Sequence, residues 1–189
     1  MWKDELCKLN GELPQGERLS RSFFTRDGLT VAKELLGKVL VHETPIGTIR
    51  GIITEVESYM GVEDKGSHTY GGRRTERTEP MFHIGGTSYV YFTYGMYHCM
   101  NIATDVEDNP QAVLIRSVVP ADIESQEQML DLRLEASLAS IRKRKEAKDE
   151  EVTPSEVERK KKSLLKHLAD GPGKLCIAMG VTKQQNDVD

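Results

Sequence analysis

The spacing of apolar residues predicts a helix and then a β-hairpin in the first third of the chain. Apolar side chains recur at helical intervals between residues 29 and 36, and Gly37 follows as a stop signal. Residues 38–59 alternate between apolar and polar positions on either side of the turn sequence TPIG, as two paired strands do. Three side chains near the end of the second strand are spaced by two and therefore share one face: Glu55, Glu57 and Tyr59.

A long segment without periodicity separates this hairpin from a second one. Residues 60–86 are rich in glycine and charge, and loops of this length are usually functional or disordered. Residues 88–101, SYVYFTYGMYHCMN, then hold four of the six tyrosines of the chain. The interruption at Gly95 and Met96 predicts a tight hairpin turn, with Tyr94 at its tip.

The rest of the chain is predicted to form one more strand followed by helices. Residues 111–120 are a largely apolar run whose single charge is Arg116, and Asp122 then stands where an N-cap would begin a helix. Residues 140–163 are mostly polar, which predicts either a solvated helix or a disordered insert. A short apolar helix ending at Gly180 follows. Strands first and helices afterwards indicate an α+β fold.

Length and composition are those of a single-domain intracellular protein. The 189 residues suit one domain, expected at residues 23–189 after a flexible N-terminal extension of residues 1–22. No apolar run approaches the roughly 18 residues of a membrane-spanning helix, and the N-terminal sequence resembles neither a secretory signal nor a transit peptide. The three cysteines form no CxxC pair, which favours reduced thiols. We expect a monomer without a membrane anchor.

The distribution of charge leaves two locally basic segments in a chain of net charge −4. Residues 65–77 are rich in glycine and arginine, and residues 141–166 hold ten lysines and arginines against six acids. Such segments can follow a phosphate backbone, but an ordinary solvated surface explains either one alone.

Two groups of side chains are candidates for catalysis or metal binding. Glu57 ends a strand directly before the long loop, a position suited to a catalytic group, although an exposed or arginine-paired carboxylate is the simpler alternative. His68, His83 and His98 are spaced by fifteen residues, which fits no metal-binding motif, so we expect no metal.

The tyrosine-rich run has two interpretations. Tyrosine and phenylalanine favour strands and fill cores. In a strand, however, Tyr89 and Tyr91 face one side while Phe92 and Tyr94 face the other, and both sides cannot easily be core near an exposed tip. Rings outside the core can stack on nucleic-acid bases.

Five stretches of the chain resemble the alkyladenine (3-methyladenine) DNA glycosylase family. They are FFTRDGLTVAKELLGKVLV, ITEVESYMGVEDKGSHTYGGRRTERTEPMF, GTSYVYFTYGMYHCMNI, AVLIRSV and DGPGKLC. The resemblance implies a single α+β domain with a curved antiparallel sheet, a protruding β-hairpin and surrounding helices. It also implies a monofunctional enzyme that flips a damaged purine out of double-stranded DNA and hydrolyses its N-glycosidic bond, with no cofactor.

The resemblance assigns roles to eight positions. It implies that Glu57 is the general base and that Arg116 lies near the catalytic water. It implies that Tyr59, His68 and Tyr91 hold the flipped base and that Asn101 disfavours guanine. It also implies that Tyr94 fills the gap in the duplex and that Met81 is a second apolar probe of the minor groove.

Three departures from the family pattern leave alternatives open. The insert at residues 140–163 is longer than expected, and the chain ends at Asp189, where family members continue through further strands. The alternative is therefore a shortened, catalytically impaired reader of damaged DNA. A two-residue turn would put Asn101 and Tyr91 on opposite faces, so we expect a longer turn or a bulge.

Two further expectations concern metal chemistry and location. A metal-dependent hydrolase that uses Glu57 and the histidines is a third, weaker hypothesis. The expected location is the nucleus of a eukaryote, which we favour, or the cytoplasm of a bacterium. The preferred lesion, among methylated purines, ethenoadenine and hypoxanthine, is not readable from the sequence.

Overall fold

The computed structural model describes residues 16–147 and 149–189. The helices and strands of this part are α1 Arg21–Phe24, α2 Gly28–Leu35, β1 Val39–Thr44, β2 Gly47–Tyr59, β3 Ser88–Thr93, β4 Tyr97–Thr104, β5 Gln111–Pro120, α3 Ile123–Glu146, α4 Pro154–Lys166 and α5 Pro172–Met179. The predicted extension at residues 1–22 lies mostly outside the described residues, as does Cys7. Its described end is packed on the domain, since Arg21 donates a hydrogen bond to the Gly85 carbonyl at 3.0 Å.

The five strands form one antiparallel sheet in the order β1-β2-β5-β4-β3. Both predicted hairpins, β1–β2 and β3–β4, are present, and β5 joins them at the centre of the sheet. The predicted α+β fold is confirmed. Within the described residues, no helix is both long enough and apolar enough to cross a bilayer.

Helices cover one face of the sheet and form the main core with it. Alternate residues of the strands point to this face, and α2, α3 and α5 pack against them. The buried side chains of this core include Val31, Leu35, Ile53, Val90, Val113, Ile115, Met129, Leu175 and Met179. The opposite face of the sheet carries the polar and aromatic residues described below.

The turn between β3 and β4 contains three residues. Thr93 pairs with Tyr97, and Tyr94 and Gly95 both have positive φ, at 52° and 65°. The Met96 amide donates to the Thr93 carbonyl at 3.1 Å. The predicted two-residue turn at Gly95 and Met96 is therefore wrong, and the longer turn expected from the site residues is confirmed. The extra residue shifts the register so that Tyr91 pairs with Cys99.

The segment between the two hairpins is ordered. Three short 3₁₀ turns occur in it, at Gly61–Glu63, Tyr70–Gly72 and Glu79–Phe82. Arg74 bridges Glu79, at 2.6 and 2.9 Å, and Asp108, at 2.6 Å. These ion pairs hold the loop to the end of the sheet.

The polar insert at residues 140–163 is largely helical, which decides between the two predicted alternatives. It comprises the end of α3 and most of α4. Thr153 and Glu156 form a capping box at the start of α4. A small separate cluster joins the two helices, with Leu134, Leu138 and Leu164 buried. The predicted N-cap Asp122 is confirmed at the start of α3, where its carboxylate accepts from the Ser125 amide at 2.6 Å.

Replacing Leu175 should destabilise the domain through the core between α5 and the sheet. Leu175 is 0% exposed, whereas Leu165 on α4 is 40% exposed. We expect Leu175→Ala to lower the free energy of unfolding by about 2–5 kcal/mol, because it removes buried methyl groups and leaves a cavity. Leu165→Ala should change it by less than about 1 kcal/mol. Urea denaturation of both variants measures the difference, and equal effects would contradict this view of the core.

Candidate active site

Strand pairing aligns the candidate site residues across the uncovered face of the sheet. Glu57 pairs with Leu114, Leu114 with Asn101, and Asn101 with Tyr89. Residues directly opposite one another in antiparallel strands point to the same face. This row therefore extends from β2 to β3 over three strand spacings, about 14 Å.

The neighbouring row creates a depression because its central residues are small. Tyr59 pairs with Ala112, and Ala112 pairs with Ala103. Met81, from the loop between the hairpins, packs with Ala112 and Tyr89. A cavity of about 20 Å³ remains there, which is room for about one water molecule. It is lined by Tyr59, Gly66, His68, Met81, Tyr89, Tyr91 and Asn101.

A pair of bulges brings two carboxylates to one arginine. The β2–β5 register shifts on both sides of Glu55, and Arg116 is left without a partner residue on β2. Its guanidinium donates to Glu55 Oε1 at 2.8 Å and to Glu57 Oε2 at 2.6 Å. The hydrogen bond to Glu55 is the main cause that raises the pKa of Arg116. Bulges often occur beside active sites, where they redirect a side chain.

Tyr59 connects the carboxylates to the cavity. Burial, reinforced by the nearby charge of Glu57, raises the pKa of Tyr59 to about 12. The phenol therefore keeps its proton at neutral pH. Glu57 itself is partly exposed, with 43% of its side chain accessible. The site thus presents a protonated phenol and an accessible carboxylate side by side.

Three aromatic rings pack together at the other side of the cavity. The His68 and Tyr91 ring centroids lie 4.7 Å apart with a 75° angle between the planes, and those of Tyr89 and Tyr91 lie 5.2 Å apart. His68 Nδ1 and the Tyr89 hydroxyl are hydrogen-bonded at 2.9 Å. Burial, and then the charges of Arg77 and Arg73, lower the pKa of His68. The neutral imidazole is therefore the favoured form in this wall.

Asn101 is held rigidly in the floor of the cavity. The residue is 2% exposed, and its Nδ2 donates to the Tyr89 carbonyl at 3.0 Å. This hydrogen bond fixes the orientation of the side-chain amide. The position of the amide oxygen is therefore set by the contact with β3 and does not depend on a bound ligand. Tyr89 thus supports both His68, through its hydroxyl, and Asn101, through its carbonyl.

The tip of the β3–β4 hairpin is exposed and apolar. Tyr94 is 86% exposed, and Phe92 and Met96 are 51% and 64% exposed. Met81 differs, because it is 2% exposed and lines the cavity. The predicted role of Met81 as a probe of the minor groove therefore does not fit its position, since a buried side chain in the cavity wall cannot reach into a groove.

The three histidines considered for a metal site lie apart. His68 bonds to Tyr89, His83 Nδ1 lies 2.7 Å from Asp187, and His98 packs on Phe92 with ring centroids 5.1 Å apart. Among residues 16–147 and 149–189, no three histidine, cysteine or acidic side chains cluster as metal ligands would.

The sequence reasoning missed three residues of the site. Tyr89 supports the cavity, Glu55 shares Arg116 with Glu57, and the Arg77 guanidinium lies 5.0 Å from the centroid of the Tyr91 ring. Tyr89 and Glu55 are each two positions from a predicted site residue on a strand, a signal that could have identified both. Arg77 ends the basic segment at residues 65–77, but nothing in the local pattern of this aperiodic loop directs it to the cavity.

The fold and site define an α+β protein with an aromatic-lined cavity beside groups capable of acid–base chemistry. Residues 22–189 match the family described as methylpurine-DNA glycosylase, and the chain belongs to this family.

Curated relatives agree with this assignment. A protein of Clostridium acetobutylicum is 44% identical over 172 residues, which cover 91% of this chain and 74% of the relative. A protein of Desulfitobacterium hafniense is 43% identical over 173 residues, covering 92% and 75%. One from Clostridium botulinum is 45% identical over 168 residues, covering 89% and 73%. All three carry the provisional name 3-methyladenine DNA glycosylase.

The environment of His68 predicts its titration. Its pKa is lowered from the ordinary 6.5, chiefly by burial. The imidazole should therefore remain neutral at pH values where an exposed histidine becomes protonated. Folding should be less favourable as the pH falls through 6.5, because the unfolded chain binds the proton first. NMR titration of the His68 ring measures the pKa, and the same titration of the urea-unfolded protein gives the reference value. A pKa above 6.5 for His68 would contradict the described wall.

Proposed function

We propose that this protein is a repair glycosylase that flips alkylated or deaminated purines out of duplex DNA and hydrolyses the N-glycosidic bond. The observation that carries the proposal is the arrangement on one sheet face of the Glu57–Arg116 pair and the aromatic cavity, with the exposed Tyr94 at the tip of the adjoining β3–β4 hairpin. Membership of the methylpurine-DNA glycosylase family supports it.

The aromatic side chains recognise the flipped base. Tyr59, His68 and Tyr91 present ring surfaces and edges around the cavity, and stacking of a base on an aromatic ring contributes about 1–3 kcal/mol. Asn101 is fixed by Tyr89 and contacts the edge of the base, where it disfavours guanine.

Glu57 activates the attacking water. Arg116 binds its Oε2 atom, and the other oxygen accepts the proton of the water as the water oxygen bonds to C1′ of the sugar. The N-glycosidic bond breaks, and its electron pair leaves with the base. Positioned proton transfer of this kind contributes typically ~10² to 10⁴-fold to a rate. An alkylated purine with a positive charge needs less help because it already leaves readily.

Tyr94 stabilises the duplex from which the base has been removed. Extruding a base costs a few kcal/mol, and the cost is smallest for a damaged or mispaired base. A planar side chain at the hairpin tip can enter the vacant position and recover part of the lost stacking. The exposure of Tyr94, Phe92 and Met96 supports this role for the whole tip.

The partner that follows from these roles is double-stranded DNA with damaged purines. The proposed steps use protein side chains and water, without a cofactor. We propose action as a monomer, because the site is built from one chain. The location stays a prediction: the nucleus of a eukaryote or the cytoplasm of a bacterium, the three relatives above being bacterial.

Single-turnover release of base from a duplex with one hypoxanthine or ethenoadenine tests the activity. Wild-type protein should release the base and leave an abasic site that alkali cleaves. Glu57→Gln should slow release by roughly 10² to 10⁴-fold, because the amide cannot accept the proton, while binding of the lesion duplex is retained. Equal rates of release by Glu57→Gln and by the wild type would contradict the role of Glu57 as the general base. Lesion-selective binding without release by the wild type would instead identify a reader of damage without turnover.

The Tyr94 assignment predicts a change in lesion preference. Tyr94→Ser should reduce the preference for lesion duplex over undamaged duplex by roughly 5- to 150-fold, the equivalent of about 1–3 kcal/mol of stacking. The matched control is Ile46→Ser in the other hairpin turn, where the side chain is 55% exposed. Titration of both duplexes by fluorescence anisotropy gives the ratio, and an unchanged preference for Tyr94→Ser would exclude the insertion role.

A further inference from the structure

Arg77 is an exposed cation beside the aromatic wall of the cavity, and the proposed mechanism does not use it. Its guanidinium carbon lies 5.0 Å from the centroid of the Tyr91 ring, within the range of a cation–π contact. The same ring contacts His68 and Tyr89 at the cavity. Burial, and then the charge of Arg77, lower the pKa of His68. Burial raises the pKa of Tyr89, and the charge of Arg77 offsets part of that rise.

Unlike Arg116 and Arg74, and like Arg73, Arg77 has no acidic partner within the described residues. Arg116 is shared by Glu55 and Glu57, and Arg74 is held by Glu79 and Asp108. Within residues 16–147 and 149–189, no carboxylate lies within 4.0 Å of the Arg77 guanidinium. Its positive charge is therefore directed at the aromatic wall rather than neutralised by an ion pair.

The charge of Arg77 alters the balance at the site. Glu55, Glu57 and Arg116 together carry a net charge of −1, and Arg77 adds a positive charge on the aromatic side of the cavity, where the charge of Arg73 also reaches His68. Tyrosine faces and the carboxylates of Glu55 and Glu57 both attract a cation, and without Arg77 less positive charge would oppose this attraction. With Arg77, the Tyr91 ring already has a cation against it, and a second cation in the cavity meets like-charge repulsion.

We propose that Arg77 is a specificity-determining residue that shifts the pocket away from cationic alkylated purines and towards neutral damaged bases. The inference rests on the proposed function, because it concerns the charge of the base that enters the same cavity. The neutral class includes bases such as hypoxanthine, and the cationic class includes purines alkylated on a ring nitrogen, such as 7-methylguanine.

The test compares a neutral and a cationic base in otherwise identical duplexes. Single-turnover rates of release are measured for hypoxanthine and for 7-methylguanine, with the rate without protein subtracted in each case. Arg77→Gln should raise the ratio of 7-methylguanine release to hypoxanthine release by roughly 5- to 30-fold relative to wild type. Arg77→Lys keeps the charge and should leave the ratio within about twofold.

A remote charge control and the pattern of rates separate the outcomes. Lys183→Gln removes an exposed positive charge in the 3₁₀ turn Lys183–Gln185 and should leave both rates unchanged. If Arg77→Gln lowers both rates by the same factor, Arg77 contacts a DNA phosphate and the specificity role is rejected. An unchanged ratio also rejects it. Release of neither base by the wild type would reject the proposed function itself.

Discussion

The register of the central strand β5 is the constraint on which the site depends. A shift of one residue in strand pairing moves every side chain to the opposite face of the sheet. In the observed register, Val113 and Ile115 are buried in the helix-covered core, while Ala112 and Leu114 lie in the rows that carry the site. One alternation along a single strand therefore supplies stability on one side and a depression lined with functional groups on the other.

The two bulges between β2 and β5 interrupt the regular alternation of side chains between the two faces of the sheet. Ile53 belongs to the core and Glu55 to the site, although residues spaced by two would normally share a face. The register shifts around Glu55 reverse the facing at this point, and Arg116 is released to contact both carboxylates. The apolar core and the charged pair can then occupy the same strands without burying an unpaired charge.

Periodicity in the sequence was sufficient for the elements but not for their register. The alternation in residues 38–59 and the apolar run at 111–120 predicted strands that the structure has, because these patterns reflect one buried face. The positive φ of Tyr94, 52°, could not be predicted from its residue type. The predicted turn therefore begins at Gly95, one residue later than the observed turn. The site residues came from family resemblance; their convergence depends on bulges, and Arg77 depends on loop geometry that no periodic pattern encodes.

The helical insert has a consequence for how this protein can be modified. Its two helices are joined by their own small cluster around Leu134, Leu138 and Leu164, which Leu130 connects to the main core. A segment whose contacts are mostly internal can change in length with little effect on the rest of the domain, because few interactions elsewhere depend on it. The connection between α3 and α4 is accordingly a natural place to attach a fluorophore or a fused domain, so that movement of the protein along DNA could be followed while the sheet face stays unaltered.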